Sequence, residues 1–431
     1  MFVQIHFLTS HHASLLNRDA TGQAKRIDFG RVTRTRISSQ CQKKHWRDVM
    51  REQLSDVPFA TRSRLVFNRI AEQIVDEAEK NGMEMDDIHA RRLALEIMNL
   101  VLTESKSKKK NNKKEEEDSN ATEEEKEQKL LEKLTDKQLD TNQPVVFGDP
   151  EIKFLSMLAF HVFRVNDGDM KKAVEHIKKS DKLIKDFVAG SDSAPKSVSD
   201  DDKNFFKVMR ENMAYPVNGV DCAMFGRFIN SNIFSRVDAP VHVAHAFTVH
   251  EQQSEIDYFS VCDDITMENG ESGAAHINEA DLNTGVFYGY VSIDVPLLVA
   301  NLTGCRIDEW KQYAGDDIVR KVLENFMNAV AKVTPGAKLG STAPYSWAEF
   351  IMVEIGEDFP CSMANAFLEP VEKRGDILQE AVKRIEEYRK NMEEIYGKKD
   401  NRVLVSTNRN WSGEKTPFAE AVKETVKAIA E

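Results

Sequence analysis

The chain has little cysteine, no long apolar run and no overall positive charge. Its five cysteines (Cys41, Cys222, Cys262, Cys305 and Cys361) are odd in number, far apart and never spaced Cys-x-x-Cys. That pattern argues against a disulfide frame or a cysteine zinc site and for reduced thiols in a cytosol. No stretch is apolar for long enough to span a bilayer, and Met1-Phe2-Val3-Gln4-Ile5-His6 has no basic residues ahead of its apolar ones. A membrane partner and a signal peptide are therefore not expected, and a cytoplasmic location is. Lysine and arginine number 59 against 71 aspartates and glutamates, a formal charge of −12 over 431 residues. Such a balance ordinarily counts against nucleic-acid binding, but much of the acid sits in peripheral-looking segments.

The exception to the acidic trend is Arg31 to Arg51. It holds Arg31, Arg34, Arg36, Lys43, Lys44, Arg47 and Arg51, with Asp48 as its only acid. Its first half reads as a strand or extended loop, with Arg34 and Arg36 on one face and Thr35 and Ile37 on the other. Ser39-Gln40-Cys41-Gln42 then fits a capping box, Ser39 as the cap and Gln42 reaching back to it. From Gln40 the pattern is helical, with Trp46, Val49, Met50 and Leu54 as an apolar stripe and Lys43, Arg47 and Arg51 on another face. A helix N-terminus offers unpaired amides and partial positive charge, which suit phosphate. A solvated helix with scattered charges is the plainer reading. Same-sign crowding in an acidic protein favours a polyanion site.

At this length two or three domains, or one domain with large insertions, are expected. Residues 2–9 read as a strand, and 60–102 as helical. Residues 104–143 bring a lysine block and then a glutamate block with almost nothing apolar before Leu130, which predicts a disordered or frayed insertion. Helical patterning resumes over 150–188, and a polar linker spans 189–203. After Asn204, β-like runs appear at 219–225, 239–249, 285–293 and 349–354. Helices are expected at 295–301, 316–333 and 377–396. Together these give an α+β chain interrupted by a helical insertion.

Three segments bear on chemistry. Val241 to His250 carries His242, His245 and His250. As one strand it places His245 opposite the other two, so a metal site needs Asp263, Asp264 or Glu268 as further ligands. No serine stands in a nucleophile-elbow context. Phe228 after Gly226-Arg227, and Tyr258-Phe259 among polar residues, are candidates to stack or wedge bases, although neighbours on a strand face opposite sides. Lys338 follows Pro335-Gly336-Ala337, a turn whose amides suit phosphate.

The ordered set Leu-Asn-Arg-Asp (16–19), Arg-Ile-Ser-Ser-Gln (36–40), Val-Ala-His-Ala-Phe-Thr-Val-His (243–250), Glu-Ile-Asp-Tyr-Phe-Ser-Val-Cys-Asp-Asp (255–264), Thr-Gly-Val-Phe-Tyr-Gly-Tyr (284–290), Pro-Gly-Ala-Lys (335–338) and Ser-Met-Ala-Asn-Ala-Phe (362–367) resembles the CasC (Cse-type) backbone subunit of type I-E CRISPR Cascade. The resemblance runs to about Pro370, and the Lys/Glu insertion looks foreign to it. It implies a modified RRM-like (ferredoxin-like) palm with a helical fingers insertion and a β-excursion thumb. The palm would comprise 1–59, 205–249 and, with C-terminal helices, 286–431. The fingers would be 60–204 and the thumb 250–285.

The resemblance also implies a non-catalytic subunit that polymerises on a guide RNA and kinks it at intervals, freeing bases to pair with target DNA. Its partners would be guide RNA, target DNA, further copies of itself and other Cascade subunits, with no cofactor and no metal. The implied phosphate contacts are Arg18, Lys25, Ser38, Gln40, Lys43, Arg47 and Lys338. The implied apolar kink contacts are Phe228, Tyr258, Phe259 and Cys262, where Phe228 and Tyr258 replace the family's usual methionine and tryptophan. A metal-dependent ribonuclease on the same fold, using His245, Asp263 or Asp264, is the alternative, and a stand-alone single-stranded RNA binder is a third reading.

Overall fold

The computed structural model describes residues 1–102, 134–188, 199–231, 233–262, 274–336, 338–397 and 401–431. The chain divides into two units, Met1–Ser55 with Pro240–Glu431, and Asp56–Ala239.

The first unit is built on β1 (Phe2–Ser14), which runs five residues beyond the segment expected from sequence. Its near-continuous burial explains why the strand lacks a clean apolar–polar alternation: both faces are covered. It pairs with β7 (Ala274–Asp294) on one side and β8 (Phe350–Gly356) on the other. The remaining strands are β2 (Arg26–Phe29), β3 (Val32–Ile37), β4 (Val241–Val243), β5 (Ala246–Thr248), β6 (Gln253–Cys262) and β9 (Arg402–Thr407). The sheet order is β9-β8-β1-β7-β5-β3-β2, with β4 and β6 also pairing with β7. Every pairing among the described strands is antiparallel. Beyond the sheet body, β6 and the first part of β7 continue as a long hairpin, from Gln253 opposite Thr284 to Cys262 opposite Ala274.

Helices cover both faces. On one, Phe7 and Phe287 line a small cavity together with Trp46 of α1 (Ser39–Gln53) and Val330 of α2 (Asp317–Lys332). Trp46 and Phe326 pack edge to face with centroids 5.7 Å apart. On the other, Leu8, Tyr288, Phe350 and Met352 pack on Leu378, Val382 and Ile385 of α3 (Ile377–Tyr396). A last helix, α4, spans Phe418–Ala430. Among the described residues no helix is long and apolar enough to cross a membrane.

Gly289 faces Phe7 across the β1–β7 ladder. A Cβ at this position would lie 2.0 Å from the Phe7 ring tip. The ring is buried and fills the glycine's space, so Gly289→Ala should overpack the core and cost about 1–3 kcal/mol. Urea unfolding would measure this, and an unshifted midpoint would show that the ring yields freely.

The second unit is mainly helical, with helices at Val66–Lys80, Asp87–Val101, Asp149–Val165, Met170–Lys179 and Asp200–Asn212. Phe67, Ile74, Leu93, Ile97, Phe147, Phe154 and Leu158 form part of its core. Three sequence expectations change here. Residues 60–63, expected in a helix, form a strand paired with Val145–Gly148, a partner too distant for periodicity to reveal. Residues 219–225, expected as a strand, hold the helix Val220–Phe225, because a short apolar run does not distinguish the two. Residues 205–239, expected with the sheet, fall in this unit. Most of the expected insertion 104–143 lies outside the described residues. Its end does not fit the disordered reading, since Leu134 and Leu139 are buried.

Candidate nucleic-acid interface

α1 starts one residue earlier than its sequence indicates. Ser38, in extended conformation, is the N-cap, and its hydroxyl accepts from the Cys41 amide at 3.3 Å. The Ser39–Gln42 box does not form, because Gln42 is buried and its amide donates to Ala244 O at 3.0 Å, docking the helix on the chain between β4 and β5. Trp46, Met50 and Leu54 of the expected stripe are buried, and Val49 is half-buried.

Asn17 gathers the first group of site residues. Its side chain accepts from the Ser38 amide at 2.9 Å, and its backbone O accepts from the Lys25 amide at 2.8 Å. Exposed Arg18 is bridged to Ala24 at the neck of a small hairpin, where Asp19 accepts from Thr21 and Gln23. Arg18, Lys25, Ser38 and Gln40 thus converge on the start of α1. Within this group Ser38 is only 5% exposed, its acceptor used by the cap, while Gln40 is exposed on the first turn. Lys43 and Arg47 are half-buried one and two turns on. Burial holds the Lys43 ammonium below the ordinary lysine value. The run's acid, Asp48, pairs with Lys44 at 2.7 Å.

His45 joins α1 to Gly336, two residues before Lys338. Its Nδ1–H donates to Cys41 O at 2.8 Å, and its Nε2 accepts from the Gly336 amide at 3.4 Å. Lys338, left-handed at φ 60°, places its ammonium 5.0 Å from the centre of the Phe259 ring on β6. Two residues 79 positions apart, both singled out from sequence, therefore meet. Tyr258 points the other way and is 62% exposed, as alternation on a strand requires. Asp281 of β7 accepts from the Ala24 amide at 3.1 Å and from Arg26 at 3.4 Å, tying the hairpin to the Arg18–Lys25 loop. Cys262 ends β6, and its side chain is not among those described.

Arg34 and Arg36 do not act alike. Arg34 is fully buried. Arg36 is half-buried and donates to His245 Nδ1 at 2.8 Å. Since arginine only donates, His245 Nδ1 is the acceptor. Burial, then Arg36 and Lys25, hold the His245 imidazole below its ordinary value. The Arg36–His245 contact was missed from sequence because it depends on the β3–β5 pairing, in which Arg36 lies opposite Phe247.

The histidine run is not one strand. Val243 lies opposite Val291 and Phe247 opposite Tyr288, a one-residue slip that breaks the run at Ala244-His245. His242 and His245 are exposed, while His250 is buried, donating to Glu251 O at 2.7 Å and accepting from the Val286 amide at 3.2 Å. Among the described residues no three His, Cys, Asp or Glu side chains are placed to share an ion. Asp263, Asp264 and Glu268 lie outside the described residues.

Phe228 belongs to the second unit and is 75% exposed. It projects from a bend held by Gly226 at φ 78° and by Arg227, whose guanidinium pairs with buried Glu151 and donates to Ser235 O.

The sequence model of the family described as CT1975-like protein matches residues 3–431. Among solved structures, a chain of a "CRISPR RNA-guided surveillance complex, pre-nicking" is similar over the whole of both chains, with TM-score 0.68 and 22% identity. A chain of a "CRISPR RNA-guided surveillance complex" covers 99% of this chain and 100% of its own, with TM-score 0.59 and 19% identity. At these identities the likeness is one of fold. No curated protein sequence matches the chain.

Proposed function

The chain belongs to the CT1975-like protein family, and from that premise we propose that it is a guide-RNA-binding backbone subunit of a Cascade-type CRISPR surveillance complex. The observation that carries this is the convergence of Arg18, Lys25, Gln40 and the Lys338–Phe259 pair near the start of α1, with Lys43 and Arg47 half-buried one and two turns on. A cationic groove that follows a phosphate backbone needs no sequence reading, and base pairing then reads the target. The two similar folds, both from RNA-guided surveillance complexes, support the same reading.

In finer detail, the sheet serves as the RRM-like palm, the second unit as fingers and the β6–β7 hairpin as thumb. Copies line up along the RNA, and Phe259, Tyr258 and Phe228 wedge between bases to kink it, so that the freed bases pair with target DNA. Each copy need hold its RNA only weakly, since the array sums the contacts. The type I-E assignment rests on the ordered sequence motifs. The subunit is non-catalytic in this reading. Around His245, Arg36 and Lys25 repel a divalent cation.

Co-expression with a repeat–spacer RNA and partner subunits, followed by size exclusion and sequencing of the retained RNA, tests the proposal. Guide RNAs of uniform length, protected from nuclease at regular intervals, are the expected result. Random host RNA on a monomer would point to the stand-alone binder. Magnesium-dependent cutting of complementary RNA, lost on Asp264→Ala, would establish the ribonuclease instead.

A further inference from the structure

Past the Lys338 turn, the chain displays two large aromatics to solvent. Tyr345 is 72% exposed and Trp347 is 67% exposed. This is not a loose segment. His11 Nδ1 donates to Pro344 O at 3.2 Å. The Thr334 hydroxyl bonds both the amide and the carbonyl of Ser346, each at 3.2 Å. The Ala348 amide donates to Ala331 O at 2.8 Å. The backbone is thus tied inward at residues 344, 346 and 348, and the side chains between, at 345 and 347, are left facing out.

Trp347 has a cation beside it. The Lys332 ammonium lies 5.4 Å from the Trp347 ring centre. Lys338, the exposed lysine of the phosphate-suited turn, is joined to this segment by the single helical turn Leu339–Thr342. Two backbone-anchored, exposed aromatics, Trp347 with Lys332 beside its ring, in a protein of net charge −12 fit a flat, apolar group carried on a polyanion. A nucleobase is such a group, because every base has a π-face and stacks on an aromatic ring without sequence preference.

We propose that Trp347 and Tyr345 form a stacking platform for an unpaired nucleobase of the strand whose phosphates Lys338 contacts. The proposal rests on the RNA-binding reading above. It adds a base contact outside the β6–β7 hairpin, on the 344–348 segment.

Trp347 reports on its own occupancy, because stacking on a base quenches indole fluorescence. Titrating the full-length protein with a 30-nucleotide unstructured RNA should quench emission, and Trp347→Leu should abolish that quenching. The same substitution should weaken RNA affinity about tenfold while leaving the salt slope unchanged, because no phosphate contact is lost. Trp347→Phe should restore most of the affinity, which a purely structural role for the indole would not predict. Unpaired bases on a guide RNA or on a target strand offer the same π-face. Quenching with RNA alone assigns the guide, and quenching only after complementary DNA is added assigns the target strand. Either supports the platform.

If wild-type protein binds RNA in a gel shift but neither RNA alone nor RNA with complementary DNA causes quenching that Trp347→Leu removes, the platform is wrong and the RNA reading stands. If wild type binds no RNA, the RNA reading fails and the platform falls with it. Quenching that follows protein concentration without nucleic acid would mark a protein contact and overturn the proposal.

Discussion

Arg34→Met should destabilise the protein by about 3 kcal/mol, and without weakening the affinity of the folded protein for RNA. Arg34 stands in the basic run, yet it is wholly inside the first unit. Its Nε donates to Phe29 O at 2.9 Å, Nη1 to Thr248 O at 2.8 Å and Nη2 to Phe367 O at 2.6 Å. The rings of Phe29 and Phe247 lie 5.3 and 5.7 Å from its guanidinium carbon. One side chain therefore joins the β2–β3 hairpin, the end of β5 and the 364–367 turn.

Burial, with the nearby Arg384 charge, lowers the Arg34 pKa to about 10, so it remains charged at neutral pH. Each bond from a charged donor contributes roughly 1.5–3 kcal/mol. Methionine escapes the desolvation of the charge, and the net loss is smaller than the sum. Lysine should rescue little, since one ammonium cannot replace the fork. Urea unfolding checks the loss, and a midpoint shift worth under about 0.5 kcal/mol would place the hydrogen bonds among the energetically idle ones. A fall in RNA affinity under conditions where the variant is folded would show that Arg34 reaches the ligand after all.

The opposite result is expected for Lys43→Ala, Arg47→Ala and Lys338→Ala combined. These side chains are half-buried or exposed around the start of α1 and the adjoining turn. Stability should change little. RNA affinity should fall about a hundredfold at 0.1 M salt, because each phosphate contact to a single strand contributes about 0.7 to the slope of log affinity against log salt. Three lost contacts should flatten that slope by about 2. The fall should be equal for unrelated RNA sequences. An unchanged slope would remove these residues from the interface, whatever happened to affinity. A loss confined to one sequence would mean that they read bases.

Together the two variants divide the basic run by what each cation touches, which its sequence does not reveal. Arg31 to Arg51 reads as one patch of charge, and periodicity even assigns Arg34 and Arg36 to one face. They do share a side of β3, but other chain segments cover that side unevenly. Arg34 meets carbonyls 5, 214 and 333 residues away, and Arg36 meets His245, 209 residues away. The helix cap differed for a related reason. The local capping-box rule picks Ser39, which has Gln42 three residues on, whereas Asn17, by accepting from the Ser38 amide, favours the earlier serine.

Some features were settled by the sequence alone. The 3.6-residue pattern marks α2 and α3 almost to the residue, and the apolar density of residues 2–9 marks the central strand. The opposed faces of Tyr258 and Phe259, and a basic helix start in an acidic protein, follow from local rules. These rest on interactions within a few residues, which periodicity records. The tertiary structure alone decided that Lys338 lies over Phe259, that His245 serves Arg36, that Arg34 is a bolt rather than a contact, and that Tyr345 and Trp347 face solvent. Each depends on a sheet pairing or a loop contact between distant segments. A side chain's periodicity tells which way it points, and only the fold supplies what it points at.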